Sequence, residues 1–383
     1  MSKLPKKLWR DAATVIVAAK NASVLQFCQS QRRTEQLNNY NSKTNDYSLL
    51  MLKRHSQSNF MANRFVFPGG VIDKADYCDQ WIDIFGAQGH SRNELFELYK
   101  NVAKRPPMFE AYHCMQVIPD IAFRICAARE AFEECGLMLF KANRKKIEGL
   151  LSHEEVLIWR KKVHNDAFAF LDLCRQFNVV PDIWSLKEWS CWLTPVVLER
   201  RFDTMFYIYA TDNKPAIDYD EKEMSDAIWR TPKDLLCDHI GGTLQLPVPQ
   251  IYELTRLGQF LTLEELAEFS LQRECLGTER NLPIRVKFNN GFMSISPGDH
   301  FYTTDPVEFE NRICAKHGPV SGKNPYKVDL RLEDLQILEN VHRMEFKSLN
   351  DFRITCNHRR HGHKSIDFAS EDFIRAKEVS SKL

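Results

Sequence analysis

Three glutamates in one short segment are the residues of this chain best suited to chemistry. Glu130, Glu133 and Glu134 are spaced i, i+3 and i+4, so on a helix their carboxylates share one face, roughly 5–6 Å apart. Like charges this close repel each other unless a cation lies among them. A set of carboxylates favours Mg²⁺ or Mn²⁺ over zinc. The spacing therefore predicts a magnesium or manganese site, although similar clusters also occur on ordinary solvated helix faces.

The residues around the glutamates indicate the helix that this site needs. Ile121 to Glu134 contains no Pro or Gly, Asp120 is a candidate cap at its start, and Gly136 stands where a helix commonly ends. Apolar residues recur at spacings of three and four on the side away from the carboxylates. One side of the helix is therefore expected to pack, and the other to hold the cation.

A glycine turn far upstream is the second element of the predicted site. Gly69 and Gly70 follow Pro68 after a short predicted strand, Arg64 to Phe67. Glycine lets the backbone approach a ligand closely. We therefore expect the carbonyl group of Gly69 or Gly70 to complete the shell of the cation.

Taken together, the two segments resemble the box motif of the Nudix hydrolase family. That motif runs Gly, five residues, Glu, seven residues, then Arg-Glu-apolar-any-Glu-Glu-any-Gly-apolar. Gly70 fits the first glycine and Arg129 to Leu137 fits the second half. The chain departs from the motif at Asp76, which stands where the family has its first glutamate, and in the 52 residues between Asp76 and Arg129.

One branch of the family, the peroxisomal coenzyme A diphosphatases, has a similarly divided box. Further segments of this chain resemble that branch in the same order, so the resemblance covers roughly residues 8 to 305. These segments are Pro181 to Trp184, Trp192 to Pro195, Arg201 to Thr204 and Pro297 to Asp299.

The resemblance implies an α/β (α+β) fold, the Nudix α/β/α sandwich around a mixed sheet. We expect a Nudix domain over residues 8–275, with residues 77–120 inserted in the box and a helical insertion at about 140–180. Alternating apolar segments from Asn281 onward predict a small β-rich C-terminal appendage, residues 276–380.

The resemblance also implies roles for the site residues. Glu130 and Glu134 are expected to bind the cation directly, Glu133 to bind it directly or through water, and Arg129 to orient a carboxylate. Whether Asp76 takes part stays open. So does the choice for Glu221 or Glu223 between an additional loop acid and an ordinary exposed acidic loop.

The substrate that the resemblance implies is coenzyme A or acyl-coenzyme A. Its diphosphate would be cleaved to adenosine 3′,5′-bisphosphate and 4′-phosphopantetheine. Cations in the first loop and strands are candidates for binding its phosphates, namely Arg32, Arg33, Lys53, Arg54 and Arg64. Two alternatives are hydrolysis of another diphosphate, such as a capped RNA or a nucleotide sugar, and a catalytically silent binding protein of the same fold.

Composition excludes several other classes. The chain has 383 residues, 44% hydrophobic and 27% charged, with a net charge of +1. That charge gives no electrostatic support for nucleic-acid binding. No apolar run approaches the ~20 residues needed to span a bilayer. Eleven cysteines without a Cys-x-x-Cys pair suggest free thiols.

The last residues carry an address. Ser381-Lys382-Leu383 matches the tripeptide that the peroxisomal import receptor reads at a free C-terminus. We therefore expect the protein in the peroxisomal matrix.

One histidine-rich segment also has metal-binding residue types. Cys356, His358, His361 and His363 lie close together, among Arg359, Arg360 and Lys364. The basic neighbours favour a solvated tail without a metal.

Overall fold

The computed structural model describes residues 9–21, 45–58, 60–98, 100, 102–110, 117–142, 149–219, 223–305, 308, 330–334, 339–359 and 361–372. Several residues named above lie outside these ranges: Arg32, Arg33, Glu221, Arg360 and the tripeptide Ser381-Lys382-Leu383.

The strands of the described residues form one large mixed sheet, one five-stranded antiparallel sheet and a two-stranded pair. They are β1 (Arg10–Lys20), β2 (Tyr47–Arg54), β3 (Phe65–Val66), β4 (Gly69–Val71), β5 (Phe140–Lys141), β6 (Val180–Pro181), β7 (Lys187–Leu193), β8 (Phe202–Thr211), β9 (Met224–Arg230), β10 (Arg280–Asn281), β11 (Ile284–Phe288), β12 (Gly291–Ile295), β13 (His342–Phe346), β14 (Phe352–Cys356) and β15 (Ile366–Ala369).

The helices pack mainly against the large sheet. They are α1 (Gln80–Ala87), α2 (Arg92–Glu97), α3 (Pro107–Glu110), α4 (Pro119–Cys135), α5 (His153–Asn165), α6 (Ala169–Phe177), α7 (Pro232–Ile240), α8 (Val248–Leu257) and α9 (Leu263–Arg273), with short 3₁₀ turns at Lys74–Tyr77, Glu274–Leu276 and Leu332–Asp334. Within the described residues, none of these helices is long and apolar enough to cross a membrane.

Strand β1 is the centre of the large sheet. It is buried from Asp11 to Ala19, as its continuous apolar sequence predicts for a strand covered on both faces. It pairs in parallel with β8 and antiparallel with β2 and β4. The strand order is β10-β7-β8-β1-β2-β3, with β4 also on β1 and β9 also on β2.

Helices cover both faces of this sheet. Val15 and Val17 of β1 pack in one core with Phe132 of α4. Ile16 of β1 belongs to a second core with Leu254 of α8. This helix–sheet–helix layering confirms the predicted α/β/α sandwich. The two predicted insertions contain α1 to α3 and α5 to α6.

Helix α4, which carries the three glutamates, begins one residue before the predicted cap. Ile118 is the N-cap and Pro119 takes the first helical position, where proline's fixed φ suits the turn. The assignment of Asp120 as the cap is therefore wrong. Gly136 ends the helix as predicted, in the left-handed region at φ 69°.

The predicted C-terminal β-rich appendage is an antiparallel sheet in the order β11-β12-β13-β14-β15. Phe346 and Ile354 on one face join the core of the α8 side, while Val286 and Met293 form a small core on the other. Strand β10 pairs with β7 of the large sheet, and the domain boundary at 275/276 stays a prediction.

The interpretation of the histidine-rich segment as a solvated tail is wrong. Cys356 belongs to β14 and is buried, and His363 is buried with Nε2 3.0 Å from the carbonyl oxygen of Trp189. The segment connects β14 to β15, and Cys356 and His363 at its two ends are buried.

A buried ion-pair cluster fixes α4 against the large sheet. The guanidinium group of Arg124 is fully buried, with Nη2 3.2 Å from Oε1 of Glu188 on β7. Arg105 donates to the same oxygen at 2.7 Å. Burial raises the pKa of Glu188, but the charges of Arg105 and Arg124 outweigh it, so the pKa lies below the ordinary value.

We predict that Glu188→Gln lowers the free energy of unfolding by about 3–5 kcal/mol, because the fully buried Arg124 and the partly buried Arg105 lose a shared countercharge. Urea unfolding measures the change. Since the pKa of Glu188 is depressed in the folded protein, its contribution is present above the pKa of an unfolded carboxyl group and disappears as the pH falls through the folded value. The difference between wild type and variant should therefore shrink in acid.

The control is Lys187→Gln, the neighbouring residue, whose partly exposed ammonium pairs with Glu274 at 3.1 Å. Its loss should cost less than about 1 kcal/mol. Equal effects of the two substitutions would contradict the assignment of Glu188 as the anchor of α4.

Candidate metal centre

The three predicted carboxylates lie together on the last turns of α4. The side chains of Glu130 and Glu133 are each 13% exposed, and Glu134 as a residue is 3% exposed. This degree of burial is unusual for a cluster of acids, because it removes charged groups from water without giving each a cation.

The glycine turn lies directly against these carboxylates. The N–H group of Gly69 donates to Oε2 of Glu134 at 2.9 Å. A Cβ atom on Gly70 would overlap the carboxylate of Glu130, so only glycine leaves room for that carboxylate in this position. The structure thus brings the two halves of the divided motif to one place.

The carbonyl groups of the turn make other contacts. The carbonyl oxygen of Gly70 lies 3.8 Å from the Cys126 thiol, and the contact of Gly69 with the cluster is made through its N–H group. Coordination by the carbonyl group of Gly69 or Gly70 stays a prediction.

Arg129 and Asp76 form a buried, two-pronged ion pair beside the cluster. Nε and Nη2 of Arg129 lie 2.8 and 2.9 Å from the two carboxylate oxygens of Asp76. Nη1 of Arg129 lies 2.8 Å from Oε1 of Glu130 and 3.4 Å from Oε2 of Glu133. Arg129 therefore contacts two of the glutamates and Asp76 holds Arg129, while the orienting role of Arg129 at a metal site stays a prediction.

Asp76, whose side chain is shorter than the glutamate of the family motif, also helps to cap a turn. Asp76 accepts a hydrogen bond from the N–H group of Asp73 at 2.8 Å, within a reciprocal cap of the 3₁₀ turn Lys74–Tyr77. This turn starts the long insertion. Asp76 is fully buried and its oxygens face Arg129 and Asp73.

Burial and mutual repulsion shift the acidity of the cluster. Burial, together with the charges of Glu133 and Asp76, raises the pKa of Glu130 to about 7 against the opposing effect of Arg129. Burial and the charge of Glu130 raise the pKa of Glu134 well above its ordinary value, although the Gly69 N–H group lowers it. The cluster therefore resists carrying its full negative charge at neutral pH unless a cation is supplied.

A histidine that sequence reasoning missed also belongs to the site. Nδ1 of His164 on α5 lies 3.0 Å from Oε1 of Glu133 and 3.9 Å from the carboxylate of Glu223. Glu223 is thus at the edge of the cluster, half-exposed, which favours the additional loop acid over an unrelated surface loop. His164 lies in the helical insertion, 27 residues after the motif ends at Leu137, and no local pattern marks it.

The same insertion fixes the end of α4. Arg160 of α5 donates from Nε to the carbonyl oxygen of Glu133 at 3.0 Å and from Nη2 to that of Glu134 at 3.1 Å. A cation at the C-terminal end of a helix is favoured by the helix dipole. Helix α5 therefore positions the backbone from which the two glutamates extend.

The donor set fits a hard divalent cation. Glu130, Glu133 and Glu134 offer carboxylate oxygens, which Mg²⁺ and Mn²⁺ prefer. Of the four acids Asp76, Glu130, Glu133 and Glu134, Arg129 neutralises one, and a dication would offset most of the negative charge that is left. These three glutamates are therefore the residues that would hold it.

Comparison with known proteins points to one family. The model of the family described as the NUDT19 Nudix domain matches residues 9–257, which include both halves of the motif. Acyl-coenzyme A diphosphatase NUDT19 of Xenopus laevis is 38% identical over 316 residues, 78% of this chain and 82% of that protein. The protein of the same name from Homo sapiens is 32% identical over 323 residues, 80% of this chain and 84% of that protein.

Among solved structures, a Nudix hydrolase from Alicyclobacillus acidocaldarius matches with a TM-score of 0.48 and 21% identity. The match covers 68% of this chain and 96% of that one.

We predict that Gly70→Ala abolishes divalent-cation binding while the protein stays folded. The added methyl group would displace the Glu130 carboxylate, which is the far end of a flexible side chain and can move away. Isothermal titration with Mg²⁺ and then Mn²⁺ measures the loss, with circular dichroism as the check on folding.

The control is Gly86→Ala in α1, where the added Cβ meets nothing within 4 Å. That substitution should leave binding intact and raise helix stability by up to about 1 kcal/mol. Unchanged Mg²⁺ affinity in folded Gly70→Ala would remove Glu130 from the site.

A second prediction follows from the raised pKa of Glu130. Between about pH 5 and pH 7, the folded protein binds more protons at this group than the unfolded chain, so this group makes the free energy of unfolding fall as the pH rises. Glu130→Gln should remove that part of the slope, on the order of 1–3 kcal/mol across the interval.

Urea unfolding at a series of pH values in a metal chelator measures the slope, with Glu154→Gln on the exposed side of α5 as the matched control. Excess Mg²⁺ at neutral pH should restore stability to the wild type, because a cation that binds only the folded state stabilises it. Identical slopes for wild type and Glu130→Gln would contradict the raised pKa.

Proposed function

This chain belongs to the Nudix hydrolase family, in the group defined by the NUDT19 Nudix domain, and we propose that it hydrolyses coenzyme A and acyl-coenzyme A at the diphosphate linkage. The observation that carries the proposal is the meeting of Gly69 and Gly70 with Glu130 and Glu134 at one buried cluster. Relatives that match about four-fifths of the chain bear the name acyl-coenzyme A diphosphatase. That name supports the substrate.

The reaction adds water to one phosphorus atom and breaks its bond to the bridging oxygen. The products are adenosine 3′,5′-bisphosphate and 4′-phosphopantetheine, which keeps its acyl group where the substrate had one. A bound Mg²⁺ or Mn²⁺ supplies neutralisation of the phosphate oxygens and a lower pKa for water.

The glutamates and Arg129 have different roles in this reaction. Glu130 and Glu134 would hold the cation, and Glu133 would support it directly or through water. Arg129 keeps Glu130 and Glu133 oriented by charged hydrogen bonds. The proton of the attacking water passes to a carboxylate oxygen of this cluster, at the first or the last glutamate.

Arg54 is a candidate cation for substrate phosphate. It ends β2, and its charge lowers the pKa of Glu134, although burial raises that pKa more strongly. Its neighbour Lys53 lies instead over the ring of Phe65, with Nζ 5.9 Å from the centroid, and Phe65 belongs to the core on the opposite face.

The proposal places the protein in the peroxisome. Ser381-Lys382-Leu383 fits the import address, and the address acts only at a free C-terminus. The proposal of peroxisomal import therefore applies to a chain whose C-terminal residue is Leu383. A fluorescent fusion at the N-terminus should colocalise with a peroxisomal marker and become diffuse when the tripeptide is deleted.

We predict that the purified protein releases adenosine 3′,5′-bisphosphate from an acyl-coenzyme A in the presence of Mg²⁺, and that Glu134→Gln lowers kcat/KM at least about 100-fold. Loss of a metal-binding carboxylate should exceed the 10–100-fold cost typical of losing an outer partner. Chromatographic separation of the products measures the rate.

Glu154→Gln on α5 is the matched control and should keep full activity. In the same assay, Arg54→Gln should raise KM while Lys53→Gln changes little. If the folded wild type releases no product with Mg²⁺ or Mn²⁺, the substrate is wrong, and assays with a capped RNA and a nucleotide sugar would then separate another diphosphate substrate from a silent binding protein.

A further inference from the structure

A second group of metal-ligating side chains lies in the C-terminal sheet. His342 on β13, Cys356 on β14 and His358 just after β14 each offer a ligand atom, and these atoms all lie within 4.8 Å of one another. Cys356 packs in the core on the α8 side of the large sheet, whereas α4 packs on the other side. This group is therefore separate from the carboxylate cluster.

The register of the sheet brings the first two residues together. His342 and Cys356 are directly opposite each other in the antiparallel pair of β13 and β14, so their side chains project on the same face. The chain is then held at the strand end, where Asn357 donates from its N–H group to Val341 O at 3.1 Å and accepts from Val341 N–H at 2.9 Å. This closure returns His358 to His342, with the ring centroids 5.7 Å apart.

The orientation of His342 is typical of a metal ligand. Its Nδ1 lies 2.7 Å from the carbonyl oxygen of Pro297. A carbonyl group only accepts, so Nδ1 carries the proton and Nε2 keeps a lone pair directed into the cluster. Metal-binding histidines usually have such a partner on the second ring nitrogen.

Further contacts hold this histidine rigidly. Asp299 accepts from the backbone N–H of His342 at 2.8 Å and from Arg343 Nε and Nη2 at 2.8 and 3.1 Å. His342 is 4% exposed and Cys356 is 1% exposed. The position of the ligand atoms is therefore set by β13 and β14 and by the Pro297–Asp299 turn together.

A tyrosine of the hydrolase core completes the surroundings. The hydroxyl group of Tyr252 on α8 donates to His342 Nε2 at 2.7 Å and accepts from Arg256 Nη2 at 2.8 Å. A cavity of about 40 Å³, lined in part by Tyr252, Arg256 and His342, adjoins it. At roughly 10–15 Å³ for each water, this space admits a few exchangeable waters.

We propose that His342, Cys356 and His358 bind one zinc ion, with the fourth position beside the Tyr252 hydroxyl group. Two imidazoles and one thiolate form a borderline-to-soft set that favours Zn²⁺ and disfavours Mg²⁺. On binding, the Cys356 thiol gives up its proton to solvent and the sulfur bonds to the ion. His342 Nε2 would give up the hydrogen bond from the Tyr252 hydroxyl group and bind the ion with the same lone pair.

Such an ion would cross-link the end of β13 to the segment that follows β14, beside the hydrolase core. His342, Cys356 and His358 belong to the sheet, and Tyr252 belongs to α8. The ion would be separate from the carboxylate cluster, because Cys356 packs on the side of the large sheet opposite to α4.

The test is titration of the purified full-length protein with Co²⁺, after reduction and removal of bound metal with a chelator. We expect one equivalent of Co²⁺ to give the near-ultraviolet charge-transfer absorption of a cobalt–thiolate bond, and Zn²⁺ to remove it, whereas Co²⁺ at the carboxylate cluster gives no such absorption. Cys356→Ser should abolish the absorption. His358→Gln, at a half-buried position, should weaken Co²⁺ binding at least about tenfold.

Two controls separate this site from others. His361→Gln lies in the same segment, but its Nε2 pairs with Glu279 at 2.8 Å, so that variant should keep the absorption. Cys126→Ser removes the thiol beside Gly70 and should also keep it.

Two results would overturn the proposal: a folded wild type that gives no thiolate absorption with Co²⁺, or an absorption that survives Cys356→Ser. His358→Gln provides the decision if Cys356→Ser fails to fold. Because the readout is absorption by a sulfur-bound ion, neither result bears on hydrolysis at the carboxylate cluster.

Discussion

The structure depends on a cluster of carboxylates held where burial disfavours their charge. Glu130, Glu133 and Glu134 share one helix face, and burial raises the pKa of each above its ordinary value. Arg129 and the Gly69 N–H group lower these pKa values, but only in part. Because the protein neutralises only part of the negative charge, the site favours binding of a dication. The surrounding elements hold the carboxylates in this arrangement.

The long insertion in the motif is tolerated because both of its ends are fixed. Asp76 caps the 3₁₀ turn where the insertion starts and pairs with Arg129 on the helix that follows it. The entropy cost of closing a loop grows only with the logarithm of its length, so 52 residues cost about 2 kcal/mol more than seven if the ends meet. The ion pair between Asp76 and Arg129 joins those ends, which explains why the motif survives its division.

The sequence was sufficient for features with a local signature and insufficient for those made by distant contacts. The course of α4, its end at Gly136 and the turn at Gly69 and Gly70 follow from spacing and from residue type. The roles of Asp76, Arg160 and His164 do not, because each depends on where an insertion returns to the helix. Asp120 is not the cap because Pro119 sets the first turn. The basic neighbours of the histidine-rich segment do not show that Cys356 and His363 at its two ends are buried.

The C-terminal sheet would gain stability from an additional cross-link between its strands. Its own core is small, with Val286, Phe288 and Met293 among its few buried members, and its other face depends on the core of the α8 side. A small sheet buries too little apolar surface to be stable alone. Tyr252 and His342 already join the two parts by a buried hydrogen bond, and hydrogen bonds of this kind contribute only about 1 kcal/mol. A zinc ion at the same point would replace that hydrogen bond and bind His342, Cys356 and His358 with far greater free energy, and it would stabilise the sheet without touching the face that holds the carboxylates.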